Sequence, residues 1–316
     1  MAPSAPLPRV LLGLPYHRAV EGPFFQSVAS LLEDCQRETL RLQVAYAPNT
    51  AIHLARDSLV RYFLAGDWDF LVMIDSDQVF HSSVVRRLVA WGKPLVAPVI
   101  VARKGPPKPV AYAREGKSLQ GDVYYEPLSE EVWAYLSQFT PERLRTASVC
   151  LPLTADRPPL MEGLPEAVVA GLGDPLLAVD AVGFGMVCLS REAAEAVDPG
   201  PDDRYFDWER GGEDLSFCRR LLAAGYEGFG VGPAKGKGRG IFVDRGALVG
   251  HLSEYARGAI DLGRYLYERF DPPPPPNGHA GDLAEHLAED GARPTPGPWR
   301  DEVLPGAAGA PGPGVG

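Results

Sequence analysis

Apolar positions in the first hundred residues alternate between two spacings. Arg9 to Leu14 is an apolar run closed by Gly13 and Pro15 and predicts a first strand. From about Pro23 to Glu33, Phe24, Val28 and Leu31 or Leu32 fall on one helical face. Leu40 to Ala47 alternates well enough for a second strand. Asn49 or Thr50 then caps a helix reaching about Leu64, with Ile52, Ala55, Leu59 and Phe63 at helical spacing and Arg56 and Asp57 on the other face. Phe70 to Ile74 is five apolar residues without a break, the mark of a strand buried on both sides. Ser82 caps a further helix through Val84, Val85, Leu88 and Trp91, and Pro94 to Ala102 is another buried strand. Strand and helix in regular alternation predict a doubly wound α/β fold with right-handed crossovers.

Beyond Arg103 the pattern loosens. Val110 to Ala113 and Val123 to Glu126 read as short strands, and Ser129 can cap a helix through Val132, Leu136 and Phe139. Thr140 to Pro175 has no period. Leu176 to Val182 and Met186 to Leu189 flank Gly183-Phe184-Gly185, which predicts a bent or hairpin pair, followed by a helix from Arg191 to Val197. Leu215, Cys218, Leu221 and Leu222 mark the next helix, and Gly228 to Val231 a short strand. Gly232 to Gly240 is a flexible basic loop carrying Lys235, Lys237 and Arg239. A second apolar run, Ala247 to Gly250, closes at His251, and Ser253 caps a last helix to about Phe270. These spans predict one domain over residues 8–270, with a first half at 8–103 and a second at 104–270. The remainder, 271–316, is rich in Pro and Gly and lacks the apolar content to fold; it predicts a disordered tail.

The 316 residues carry 41 acidic and 31 basic side chains, a formal net charge of −10 that argues against a protein living on a polyanion. Cys35, Cys150, Cys188 and Cys218 are scattered, with no Cys-x-x-Cys pair, so a reduced, cytoplasmic chain is expected. The start lacks the pattern of a signal peptide, and no stretch is long enough to span a membrane.

Candidate chemistry gathers at strand ends. Asp75-Ser76-Asp77 closes the central strand, where ligands bind in open α/β sheets. Two carboxylates this close repel unless a cation or donors lie between them, and their oxygens suit a hard divalent ion that also holds phosphates. Asp at a strand end can equally serve turn chemistry. Pro15-Tyr16-His17-Arg18 is a loop at another strand's carboxyl end. Glu213-Asp214 opens a helix, where acidic residues are favoured by capping and the dipole alone. Gly211 and Gly212 also allow close approach by a ligand there, and Trp208 stands just upstream. His251 reads either as a hydrogen-bonded structural residue or as a ligand.

Taken in chain order, Leu14-Pro15-Tyr16, Ala55-Arg56-Asp57, Asp75-Ser76-Asp77, Asp180 to Gly185 and Glu213-Asp214 resemble the motifs of the GT-A glycosyltransferases, the inverting family 2 type and its relatives. Trp208 to Asp214 also looks like the Trp-x-x-Gly-Gly-Glu-Asp of the galactosyltransferase branch. Asp57 stands where the family carries Asn. The resemblance covers most of Arg9 to about Phe270 and implies a GT-A, Rossmann-like mixed sheet flanked by helices.

It further implies a UDP- or GDP-sugar donor bound by Pro15, Tyr16, Arg18, Arg56, Asp57, Ser76, Lys235 and Lys237. A Mn²⁺ or Mg²⁺ ion would be held by Asp77, with Asp75 sharing it or reaching the ribose and His251 as third protein ligand. Asp214 would be the general base of an inverting transfer, with Glu213 positioning the acceptor or the base. Gly183, Phe184, Trp208 and Gly212 would face an acceptor that the sequence leaves open: a glycan, a small molecule, a protein or a nucleic-acid base. Rival expectations are a retaining transferase on the same fold, a nucleotidyltransferase, or a non-catalytic sugar-nucleotide or nucleic-acid binder. Nucleotidyltransferases normally carry a glycine-rich phosphate loop, which Pro15-Tyr16-His17-Arg18 does not supply.

Overall fold

The structure, a computed structural model, describes residues 7–16, 20–35, 40–102, 108–117, 123–136, 138, 170–208, 212–229, 238–253 and 258–259. Arg18, Lys235, Lys237, Cys150, most of the unperiodic stretch, the helix expected up to Phe270 and the 271–316 tail lie outside the described residues. The chain separates into a compact unit, Met1–Pro272, and Pro273–Gly316.

The elements begin as the apolar spacing predicts, apart from the unforeseen two-residue β4: β1 (Arg9–Tyr16), α1 (Gly22–Cys35), β2 (Arg41–Pro48), α2 (Ile52–Ala65), β3 (Phe70–Ile74), β4 (Gln78–Val79), α3 (Ser82–Ala90) and β5 (Leu95–Val99). Then come β6 (Ala111–Lys117), β7 (Val123–Pro127), α4 (Ser129–Leu136), β8 (Leu176–Ala178), β9 (Ala181–Val182), β10 (Met186–Ser190), α5 (Arg191–Ala196) and α6 (Glu213–Ala223). β11 (Tyr226–Glu227), β12 (Gly238–Arg239), β13 (Ile241–Leu248), β14 (Gly250–Ser253) and β15 (Gly258–Ala259) follow.

Seven strands form one mixed sheet in the order β2-β1-β3-β10-β5-β13-β8. β1 runs parallel to β2 and β3 (Leu12 opposite Val44 and Val72), and β13 runs parallel to β5. β10 lies antiparallel between β3 and β5, with Cys188 opposite Val72 on one side and Val96 on the other. Both faces are covered. Leu71 and Met73 pack with Leu59, Val60 and Phe63 of α2, while Val72 and Ile74 pack with Phe24 and Leu31 of α1 and Val84 and Leu88 of α3. That double burial is why β3 has no polar alternation. β10 and β13, from the second half of the chain, complete the sheet of the first.

Several local expectations are corrected. α2 starts at Ile52 with Ala51 as an N-cap that makes no side-chain bond. Asn49 (φ 53°) instead donates its N–H to Tyr16 O at 3.0 Å, ending the β1–β2 ladder. α3 is capped by His81, whose Nδ1 accepts from the Ser83 N–H at 3.2 Å, while the Ser82 hydroxyl bonds Asp34 of α1. No hairpin forms around Gly183-Phe184-Gly185: β8 pairs β13, β9 pairs β6 and β10 enters the main sheet. In place of the strand expected at Gly228 to Val231, whose last two residues lie outside the described residues, β11 occupies Tyr226–Glu227 and ends before Gly228; β13 begins at Ile241 rather than Ala247. Ser253 ends β14 and pairs with Gly258 of β15.

Two arginines hold the frame. Arg191 reaches over the carboxyl end of α2 and donates to Phe63 O in the last turn at 2.9 Å and to Trp68 O just beyond the helix at 2.6 Å. Arg87 Nη2 and Trp91 Nε1 donate to Asp244, fully buried in β13, at 2.9 and 2.8 Å. Between Asp244 and Leu248 the β13–β5 register slips. The chain then leaves the sheet, and β14 crosses to β4, setting His251 opposite Gln78. No helix of the described residues is long and apolar enough to cross a membrane.

Candidate active site at the carboxyl ends of β1 and β3

Arg56 is the hub of the site. On α2 it lies on a face that its own polarity assigns to solvent, yet its side chain is only 2% exposed. Carboxylates from distant parts of the chain converge on it. Nη2 donates to Asp75 Oδ1 and Oδ2 at 3.0 and 2.9 Å, and to the Phe184 carbonyl at 3.3 Å. Nη1 donates to Glu213 Oε1 at 2.7 Å and to Asp214 Oδ1. Its Nε makes no hydrogen bond among the described residues. Burial alone would lower the guanidinium's pKa, but Asp214, Asp75 and Glu213 together hold it above its ordinary value. Asp75 is pushed up to about 6: burial raises it most, Asp214 and Glu213 add to the rise, and Arg56 opposes.

α6 presents the acidic pair. Gly212 is its N-cap at φ 98°, a backbone that L side chains rarely adopt, which explains a glycine directly before Glu213. Glu213 is buried against Arg56, whereas Asp214 keeps about a quarter of its side chain exposed and accepts the Phe184 N–H on Oδ2 at 3.1 Å. Phe184 thereby serves the site through its backbone. Its ring is fully buried, packed at 5.4 Å on Phe206 and on Phe217, so the expectation that it offers an apolar face to an acceptor is corrected. Gly183 likewise packs inward, since a Cβ there would stand 2.9 Å from Val110.

Asp77 and His251 form the second pair. His251 Nδ1 lies 2.8 Å from the Val101 carbonyl. A carbonyl only accepts, so Nδ1 carries a hydrogen and Nε2, on the other side of the ring, is left to meet a second partner. Nε2 faces Asp77 Oδ2 at 3.4 Å. Two acceptors in this position need a proton or a cation between them, and fixation of the far ring nitrogen by a carbonyl is the usual support of a metal-binding histidine. The expected set of three ligands does not assemble: among the described residues no three His, Cys, Asp or Glu side chains group as a metal site, because Asp75 is turned to Arg56.

A cavity of about 520 Å³ opens beside these groups, lined by Pro15, Tyr16, Thr50, Ala51, Ile52, Ala55, Asp75, Ser76 and Asp77. That volume lies within the usual range for small-molecule sites. Trp208 is 70% exposed, its ring 6.0 Å from that of His53 in the first turn of α2. Asp57 is not among the lining residues. It is buried, accepts Arg61 Nε at 2.8 Å and the Tyr205 N–H at 2.7 Å, and ties α2 to the 203–205 loop. The structure thus gathers Pro15, Tyr16, Ser76, Asp75 and Asp77 at the cavity, and brings Arg56, Glu213 and Asp214 to Asp75. It leaves Asp57, Gly183 and the Phe184 ring to the frame.

Two residues near the site carry no signal in the local sequence pattern. Gln78, fully buried, donates Nε2 to Asp77 Oδ1 at 2.9 Å. The Tyr112 phenol, raised by burial and then by the Asp214 charge, stands close enough to feel that carboxylate.

Fold and site together define an α/β protein with a carboxylate-rich cleft at its strand ends. No family model and no curated protein matches the chain. Among solved structures it is similar to the crystal structure of A197 from STIV, with a TM-score of 0.40 and 13% identity, covering 77% of this chain and 85% of that one. A likeness at that level carries no argument about fold or activity.

Proposed function

We propose that this protein is a metal-dependent glycosyltransferase that moves a sugar from a nucleotide-diphosphate sugar to an acceptor hydroxyl with inversion. The observation that carries this reading is the convergence on Arg56 of Asp75, at the cavity, and Asp214, at the start of α6. A donor site and a base would have to be adjacent in this way, and one buried guanidinium joins them. The same convergence, with the α/β sheet beneath it, supports a GT-A type of architecture. Asp75, Glu213 and Asp214 set three carboxylates against Arg56, and Asp77 stands beside them with His251, an excess of negative charge that favours a cation. Mn²⁺ or Mg²⁺ bound through few protein groups, with phosphate oxygens and water completing the shell, fits the Asp77–His251 pair.

In this reading Asp77 and His251 would hold the ion, which would supply Lewis-acid stabilisation of the leaving diphosphate. Pro15 and Tyr16 form a wall of the donor cavity. Arg56 locks Asp75 in place, and Glu213 locks Arg56. Asp214, anchored through Oδ1 by Arg56 and through Oδ2 by the Phe184 N–H, retains exposed carboxylate surface to accept the proton of the attacking hydroxyl. Trp208 offers an exposed ring to the acceptor.

The test is incubation with Mn²⁺ and a panel of UDP- and GDP-sugars, measuring nucleotide diphosphate release. Turnover that disappears in Asp77→Ala, with the fold intact by circular dichroism, is expected. Asp214→Asn should lower transfer far more than donor binding. Donor binding without turnover, unchanged by Asp214→Asn, would refute the enzyme reading in favour of a binder.

A further inference from the structure

Gln78 occupies the two-residue strand β4 with no exposed surface. Its backbone N–H closes the Asp75–Gln78 turn onto Asp75 O at 3.2 Å, and it lies opposite His251 across the β4–β14 ladder. Its amide is only half used: Nε2 donates to Asp77 Oδ1, but Oε1 accepts no hydrogen bond among the described residues. A buried carbonyl left in this state costs about 1–3 kcal/mol, which an apolar side chain of equal length would avoid. The neighbouring glycine makes room for it. A Cβ on Gly185 would stand 3.1 Å from Gln78 Nε2 and 3.2 Å from its Cδ, and Gly185 has no positive φ to require glycine.

We propose that Gln78 is a positioning residue: its amide fixes Oδ1 of Asp77 so that Oδ2 faces His251 Nε2, and this sets the affinity of the pair for a divalent cation. The inference rests on the metal assignment made above. An aspartate's terminal torsion is soft and roughly two-fold, so an unanchored carboxylate exchanges its oxygens and loses its aim. A neutral amide donor fixes it without adding a competing positive charge. Gly185, in the bend that the sequence associates with the acceptor, acts here by admitting the amide.

The experiment measures Mn²⁺ binding to the full-length, metal-free protein by loss of the free-ion EPR signal, with urea unfolding alongside. Gln78→Met keeps length and removes the amide. It is expected to hold or raise stability and to weaken Mn²⁺ binding about 10- to 100-fold, the usual cost of losing a partner that orients a metal ligand. Gly185→Ala presses a methyl group on the same amide from the other side, and is expected to weaken Mn²⁺ binding with an unchanged circular dichroism spectrum. If the parent protein binds Mn²⁺ and both variants bind it within about twofold of the parent, Gln78 has no such role although the metal reading survives. Loss of stability in Gln78→Met with unchanged Mn²⁺ affinity likewise overturns the proposal and leaves a structural amide. A parent protein that binds no Mn²⁺ removes the metal reading and this role with it.

Discussion

Replacing Arg56 by methionine removes the guanidinium that serves Asp75, Glu213 and Asp214 together while keeping an unbranched, though shorter, side chain. Removing one partner of a buried ion pair costs about 3–5 kcal/mol, because the other charge stays buried and unanswered. Arg56 at 2% and Glu213 at 11% side-chain exposure sit in that regime, while Asp75 at 25% and Asp214 at 27% can partly rehydrate. A loss of about 4 kcal/mol at pH 7 is therefore expected, a large share of the roughly 5–15 kcal/mol of a typical domain.

The pH dependence identifies the cause. Without the guanidinium Asp75, already raised by burial, loses the charge that opposes the rise and binds its proton more tightly in the folded than in the unfolded chain. Folded protein then holds the excess protons, and stability of the variant rises as pH falls. Urea unfolding followed by tryptophan fluorescence at pH 7 and pH 5 should show the gap between variant and parent narrowing at the lower pH. Arg56→Lys, with one ammonium in place of a fork, should lie between the two. A gap below about 1 kcal/mol at pH 7, or one equally wide at pH 5, would refute the hub.

Asp75 makes a related prediction in the metal-free parent. Its folded pKa of about 6 lies above that of an unfolded aspartate, so the folded chain keeps the proton longer and this group's contribution to stability falls as pH rises from about 4 to 6, by up to roughly 3 kcal/mol. Asp75→Asn should abolish that slope in urea titrations at pH 4 and pH 6.5; an unchanged slope places the effect elsewhere. Asp244→Ala strands Arg87 beneath β13 and should cost about 3–5 kcal/mol by urea unfolding, against under about 1 kcal/mol for a surface change such as Asp67→Ala. Burial raises the thiols of Cys188 and Cys218, the latter to about 12, so iodoacetamide followed by peptide mapping should label half-exposed Cys35 in native protein and these two only after unfolding.

The strands that are apolar throughout were legible because burial on both faces leaves its mark on every residue, as in Phe70 to Ile74. Partners were not. Nothing local in Met186 to Ser190 says that it inserts antiparallel between β3 and β5, nor that Leu176, Ala181 and Met186 belong to three different pairings. Polarity misled at Arg56, because helical spacing weighs a residue by its own charge and cannot see carboxylates arriving from positions 75, 213 and 214. Phe184 failed for the converse reason: its neighbours Phe206 and Phe217 are close in space and distant in sequence. The resemblance pairs Asp77 with His251, and β14 sets their side chains 3.4 Å apart. Gln78, which holds one of them, has no motif of its own.

The place of β10 has a consequence for how the chain is made. As the protein leaves the ribosome, β3 and β5 are complete long before Met186 to Ser190 emerge to fill the gap between them. Until then Leu71, Val72 and Met73 on one side and Leu95, Val96 and Ala97 on the other offer open, apolar strand borders to any passing partner. The nascent amino-terminal portion is therefore open to edge-to-edge association until β10 arrives, and a fragment ending near residue 103 should aggregate more readily than the full chain.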